Sequence, residues 1–479
     1  MNRVAAGVRG AACIGPLLLA CGALADDRAP WVLYEDQSTI VRGHFEAGTN
    51  LVGEENLFWD LAGTFAAEEQ YDPDKVWLEG YVKPGVSFER GLAEKLAFYG
   101  ALSAVLSGTA GTDAYETGDT GRLTLEEGYV GLKFGESDTP VFDLSVGPRE
   151  LRLGTGMLIA NGASNGFERG ALKLGPRKAW EFAAIAQSSL AGATATGFYL
   201  DANELTTSDT HTTLAGLDLR ADGADGGYLG LTLFNVPQSD SVYPKAAPGG
   251  FGPPIIVPGA REGLNVVDVY ARTNWLAVGP GQAFADLEFA YEWNDRIDMQ
   301  AWGGRAQAGY VFSGHPWRPR ITQTFQTFSG DDPNTAALER FDPLFYDGSP
   351  AAWATGSKSA MTFINSNVNA YELAIGVTPT PRDILTLRYT HIRANELRSP
   401  IQFGQAARFE VLGQDSIITG VTNRHLADDV FLEYTRVLNP NTFLTGGVSA
   451  SFPGKGLDLA VADTPPVWLG GFVNVVVSY

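Results

Sequence analysis

The sequence predicts an all-β fold, a transmembrane antiparallel β-barrel of about 18 strands. Three observations point there. Segments of about ten residues alternate apolar and polar side chains with period two, as expected where one strand face meets lipid and the other meets water. The connections between those segments alternate short and long. After residue 25 no apolar run reaches the roughly 18 residues a membrane-crossing helix needs.

Composition agrees with strands and turns. The 479 residues include 57 Gly, 26 Phe, 17 Tyr and 10 Trp but only 4 Met. Such a length ordinarily suggests two domains, but a sheet closed on itself exceeds that expectation as one. Mean hydropathy is −0.05, because a polar face averages out an apolar one.

Alternation is clearest at 284–293, where Ala285, Leu287, Phe289, Tyr291 and Trp293 share a face and Asp286, Glu288 and Glu292 share the other. Charge of that density is tolerable only beside water. At 76–89, Val76, Leu78, Val82, Val86 and Phe88 oppose Glu79, Lys83 and Glu89. A soluble sandwich produces one or two such strands, not eighteen. The pattern places strands at 38–51, 76–89, 96–107, 122–134, 141–152, 167–174, 180–188, 212–220, 227–235, 264–274, 284–293, 299–312, 318–328, 366–378, 383–394, 428–437, 442–452 and 467–479. Even-numbered connections, 175–179 among them, are short. Odd-numbered ones, including 236–263, 329–365 and 395–427, are long except 294–298. An even strand count with both ends on the short-turn side follows.

The first 25 residues read as a secretory signal: Arg3 and Arg9, the apolar run 11–20, then Ala23-Leu24-Ala25 before a cut. Residues 26–479 are then the barrel. The run Leu18-Leu19-Ala20-Cys21 also suits lipoprotein processing, with Cys21 acylated. Ordinary cleavage is the preferred reading, since a barrel is its own anchor. The only cysteines, Cys13 and Cys21, lie in or at the edge of this segment, so the mature chain is expected to be cysteine-free or to keep only a lipidated one, which excludes disulfides and thiolate metal sites. Losing Arg3 and Arg9 leaves 32 basic against 55 acidic side chains, a net charge of −23, which argues against nucleic acid as a partner. Acidic loops account for it.

The last strand, VWLGGFVNVVVSY, ends at Tyr479 with Val473, Val475 and Val477 on the aromatic's own face. It resembles the signal by which outer-membrane proteins are recognised by the barrel assembly machinery. The expected setting is therefore outer-membrane lipid in a Gram-negative envelope.

The segments LEEGYVGLKFG at 125–135 and DLSVGPRELRLG at 143–154, continued by TGMLIANGASNGFERGALKL to 174, resemble paired strands and the following loop of the alginate-export family of outer-membrane porins. FSGDDPNTAALERFDPLF at 328–345, AIGVTPTPRDILTLRYTHIR at 374–393 and SASFPGKGLDL at 449–459 follow in the family's order. The resemblance implies an eighteen-stranded barrel with a positively charged lumen that passes a polyuronate. This chain departs from the pattern where Pro148 precedes Arg149. Proline donates no ladder hydrogen bond, so a strand end or bulge is expected there.

Strand parity assigns Lys83, Lys133, Arg149, Arg169, Lys173, Arg272, Arg305, Arg320 and Arg388 to the lumen, together with Glu79, Glu127, Asp143, Asp268, Asp286, Glu288, Glu292, Glu372, Asp429 and Glu433. The lining is mixed. Arg149, Arg169 and Lys173 flank residues 153–166 and are expected to form the strongest positive feature of a constriction. The alternative is that they pair with Asp143, Glu127 and Glu168 across strands and fill the wall.

Asp331, Asp332 and Asp342 suggest a divalent-ion loop, but the spacing fits no such pattern and a turn built by Gly330, Asp332, Pro333 and Asn334 is preferred. Long loops of this kind can fold into a barrel mouth as lids. Catalysis is not expected. The histidines His44, His211, His315, His391 and His425 show no serine or carboxylate partner in the sequence. No cofactor, phosphate loop or metal motif is found. Two functions remain open: export of an anionic polysaccharide, with periplasmic export components as partners, and uptake of small polar solutes.

Overall fold

A computed structural model describes residues 31–60, 71–114, 118–136, 139–163, 167–223, 225–348, 353, 363–401, 407–411, 414–461 and 463–479. The signal peptide and the Cys21 question lie outside these residues.

Eighteen strands close into one antiparallel barrel. In chain order they are β1 Thr39–Glu55, β2 Lys75–Ala93, β3 Leu96–Thr112, β4 Gly118–Glu136, β5 Thr139–Arg149, β6 Trp180–Leu190, β7 Ala193–Asp201, β8 Thr213–Asp222 and β9 Tyr228–Gln238. They continue as β10 Leu264–Arg272, β11 Gly281–Asn294, β12 Met299–Val311, β13 Arg320–Phe328, β14 Val368–Thr380, β15 Asp383–Ala394, β16 His425–Asn439, β17 Thr442–Pro453 and β18 Trp468–Ser478. Each pairs with its chain neighbours, and β18 closes on β1 from Glu46↔Ser478 to Glu55↔Leu469. A short strand, Trp31–Glu35, folds back on the start of β1. Its Trp31 stacks on Tyr479, ring centroids 5.4 Å apart.

The alternation sets the faces. Leu287 and Phe289 point outward, 54% and 45% exposed, while Glu288 and Glu292 between and beyond them are buried. The Val473 face of β18 also points outward. Closure leaves no unpaired edge between β1 and β18.

Seventeen of the expected strands are present and one is not. Residues 167–174 form no strand: Phe167–Arg169 is a 3-10 turn within the long connection 150–179. The eighteenth strand is instead β7, which pairs with β6 through the turn at 191–192. The expected turn at 175–179 is therefore the tail of a loop. β7 was hidden because ATATGFYLD runs five small residues into consecutive Phe198, Tyr199 and Leu200, so no apolar–polar alternation shows, and it holds no charge before Asp201.

Pro148 sits in a bulge. The β5–β6 register shifts between Gly147 and Arg149, and Gly147 adopts φ +120 where a Cβ would stand 2.4 Å from the Gly128 carbonyl oxygen. Only glycine permits that approach.

The apolar core lies inside the barrel on the long-loop side. Leu153, Met157, Leu158 and Ile159 of one loop and Phe341, Phe345, Trp353 and Phe363 of another pack with Trp59, Trp77, Trp180 and Trp468.

Candidate pore constriction

Two loops, 150–179 after β5 and 329–367 after β13, fold inward at their described residues and meet within the barrel. The first turns tightly through Gly154 and Gly156, both at positive φ, where the Gly156 N–H donates to the Leu153 carbonyl at 2.9 Å. Ile159 and Phe345 form a parallel bridge. The Phe345 N–H donates to Leu158 at 3.0 Å, and the Ala160 and Asn161 N–H groups donate to Phe345 at 2.9 and 3.0 Å. Arg152 forms an ion pair with Asp347. The Trp353 indole N–H donates to the Thr155 hydroxyl at 2.9 Å.

Wall residues hold this junction. Thr155 donates its hydroxyl proton to Glu288 of β11, and the Arg305 guanidinium of β12 lies 4.3 Å from the Trp353 ring centroid. Asp331 accepts from the N–H groups of Ala246 and Glu339 at 2.6 and 2.7 Å. Asp342 accepts from Arg261 at 2.6 and 2.9 Å. Burial opposes the Arg261 charge, but Asp342 outweighs it and the guanidinium titrates above its ordinary value. Asp332 caps the expected turn, accepting from the Asn334 N–H at 2.9 Å. The acidic loop thus spends its carboxylates on backbone and arginine donors.

The lumenal side chains fall into two groups. On β2 to β5, Lys83 pairs with Glu150 at 2.8 Å and Glu126 at 3.7 Å, and Lys133 pairs with Glu89 at 2.5 Å. Arg149 stacks over Tyr129 at 4.5 Å and donates to the Tyr99 hydroxyl at 3.3 Å. Tyr99 in turn donates to Asp143, and Ser103 donates to Glu127 at 3.4 Å. From β10 to β15 runs an arc of arginines. Arg272 and Arg320 flank Phe284, each 4.7 Å from its centroid. Arg305 is 3.9 Å from Asp286, and Arg388 is 3.5 Å from Glu433 and 5.6 Å from the Phe431 ring.

Arg169 and Lys173 lie on the inward loop rather than on a wall strand. Lys173 is buried in an ion pair with Glu54, and its N–H donates to Glu79 at 3.1 Å. Arg169 is 2% exposed and donates to the carbonyl and side chain of Asn203 at 3.0 and 2.9 Å. Burial, reinforced by Arg122, pushes its guanidinium down. Burial and Arg169 push Arg177 down to about 10. Glu168 accepts from Thr207 instead of pairing with Arg169.

Sequence reasoning missed Glu126, Arg152, Arg177, Asp347 and Trp353. Glu126 was hidden by a bulge: Ser103 faces Glu127 while Ala104 faces Leu125, so the two adjacent glutamates both escape the lipid face. The loop residues carry no period to find them by. Nor did the sequence supply a partner for any histidine, yet His391 and His425 both contact Asp428.

Residues 280–458, spanning β11 to β17 and the helical turn Lys455–Asp458, match the alginate export family. Over that stretch the chain is similar to the alginate export family, and its closed eighteen-strand barrel fits an outer-membrane barrel of that type. In fold it is similar to OccAB1 of Acinetobacter baumannii, at 9% identity over 91% of this chain and 96% of that one, TM-score 0.53. It is likewise similar to OpdL of Pseudomonas aeruginosa, at 11% identity over 92% and 98%, TM-score 0.53. OccK5 (OpdH) of the same organism gives 11% identity over 91% and 98%, TM-score 0.51. No curated protein sequence matches the chain. Arg305, Arg320 and Arg388 lie within the matched stretch.

Proposed function

We propose that the chain is a passive conduit through the outer membrane for an anionic polysaccharide of the polyuronate class, and that it catalyses no reaction. The observation that carries this is the arginine arc, three of whose four members, Arg305, Arg320 and Arg388, fall inside the family match. A polyuronate presents a carboxylate on every sugar, and guanidiniums held against ring faces are pre-oriented to meet carboxylates. Several such groups spread over neighbouring strands let each carboxylate exchange partners as the polymer advances, whereas one tight site would retain it. In this reading the export signal is cut after Ala25, the assembly machinery reads the final strand at Tyr479, and periplasmic export components deliver polymer at the short-turn end.

Planar-bilayer recordings test the reading. Oligouronates should block the current more strongly than neutral oligosaccharides of equal length, and the pore should favour anions. Equal block by both would overturn it. A second reading, uptake of small polar solutes, draws on the pairing of Lys83, Lys133 and Arg388 with Glu150, Glu89 and Glu433, which leaves a mixed lining. Cation preference with weak oligouronate block would favour that function.

A further inference from the structure

We propose that His391, His425 and Asp428 bind one transition-metal dication of the zinc class on the outward face of the barrel, at its long-loop end. The site is separate from the lumen. On β15, His391 follows the outward-facing Leu387 and Tyr389 at period two, and on β16 Asp428 precedes the outward-facing Val430 and Leu432. His391 and Asp428 are register partners. A bulge then skips Leu426, pairing Ile392 with Ala427 and Arg393 with His425. The extra residue turns His425 onto the face of Asp428, the re-aiming that bulges produce.

The geometry gathers three ligand atoms. His391 Nδ1 is 2.8 Å from Asp428 Oδ1, and His425 Nε2 is 2.8 Å from Asp428 Oδ2. The ligand atoms all lie within 4.8 Å of one another, and the imidazoles stand 4.9 Å apart, 30° from parallel. Around a tetrahedral zinc with bonds of about 2.0–2.1 Å, ligand atoms are separated by roughly 3.3 Å. Small side-chain rotations reach that spacing. Two imidazoles and a carboxylate suit zinc, nickel or copper, while magnesium and calcium prefer six or more oxygens. A fourth position stays open to water. The Tyr389 hydroxyl donates to Asp428 Oδ1 at 2.7 Å, the outer-shell support that orients a metal-binding carboxylate.

The competing account is a hydrogen-bonded network that merely pins β15 to β16. Titration calorimetry on the full barrel in detergent, purified without a histidine tag and stripped with chelator, separates the two. Zinc chloride should bind at one ion per chain, and magnesium should not compete. His391→Ala, His425→Ala and Asp428→Asn should each weaken zinc about tenfold or more, while His211→Ala leaves it unchanged. Heat-modifiable gel migration verifies that each variant is folded. X-ray absorption on the parent, which needs no variant, should show two imidazole nitrogens on the metal. Absence of saturable zinc binding, binding indifferent to these substitutions, or a metal shell without imidazole would each overturn the site.

Discussion

The Arg305 guanidinium on β12 stands 4.3 Å from the ring centroid of Trp353, in the loop that follows β13. Wall and loop are thereby coupled, since Trp353 also donates to Thr155 of the other inward loop. A cation–π contact away from bulk water is worth about 0.5–2 kcal/mol. Arg305→Ala and Trp353→Ala should each raise the variance of single-channel conductance as the junction loosens. A double-mutant cycle on thermal unfolding should return a coupling in that range, and additive effects would mean that the contact does not hold the loop.

The arc from Arg272 to Arg388 and the buried Arg169 make opposite forecasts. Replacing Arg272 and Arg320 together by Glu should move the reversal potential in a salt gradient toward cations, because charge within a narrow lumen acts inside the roughly 8 Å screening length. Arg149→Glu should act in the same direction. Arg169→Gln should leave selectivity nearly unchanged and lower stability, since that side chain is 2% exposed. The reverse ranking in bilayer recordings would return the selectivity role to Arg169.

How far the sequence reached depends on periodicity. Strands such as β11, with Leu287 and Phe289 outside and Glu288 and Glu292 inside, were legible because the lipid face admits only apolar side chains and the inner face admits polar ones, although Glu288 and Glu292 meet Thr155 and the Asp342 N–H of the inward loops rather than the water expected there. The same logic faltered at β7, where uncharged residues occupy both faces before Asp201, and at 167–174, where an amphipathic pattern belongs to a loop packed between wall and core. For such a loop, Glu168, Arg169 and Lys173 answer to partners as distant as Thr207, Asn203 and Glu54. No local spacing encodes those contacts. The bulges at Glu126 and Leu426 erased parity where it mattered for charge and for the histidine pair.

Lys173 and Glu54 offer a stability test. Both side chains are withdrawn from solvent, so removing one partner strands a buried charge at a cost of about 3–5 kcal/mol. Lys173→Met alone should lower the urea midpoint markedly. Adding Glu54→Leu should recover much of the loss, because the orphaned carboxylate goes too. A double variant no better than the single one would show that Glu54 keeps its value through the Trp468 indole, which donates to it at 2.7 Å.

The last prediction concerns Asp36, in the turn that joins Trp31–Glu35 to β1. Its Oδ1 accepts from the N–H groups of Ser38 and Thr39 at 2.8 and 2.7 Å, and its Oδ2 accepts from the Tyr34 hydroxyl at 2.7 Å. The Ser38 N–H is the main cause, with Tyr34 and Thr39 adding to it, of a carboxyl held down at about 2. A depressed carboxyl favours the folded turn at pH above its unfolded value near 4. That contribution shrinks as pH falls toward about 2, because protonation removes the acceptor charge. The docked segment should therefore keep Trp31 against Tyr479 at pH 5 and release it progressively below pH 4, read as a change in Trp31 fluorescence against a Trp31→Phe reference. Asp36→Asn should abolish the pH dependence and give the released signal throughout. A titration midpoint for Asp36 near 4 by carboxyl NMR would show that the turn gains nothing from the charge.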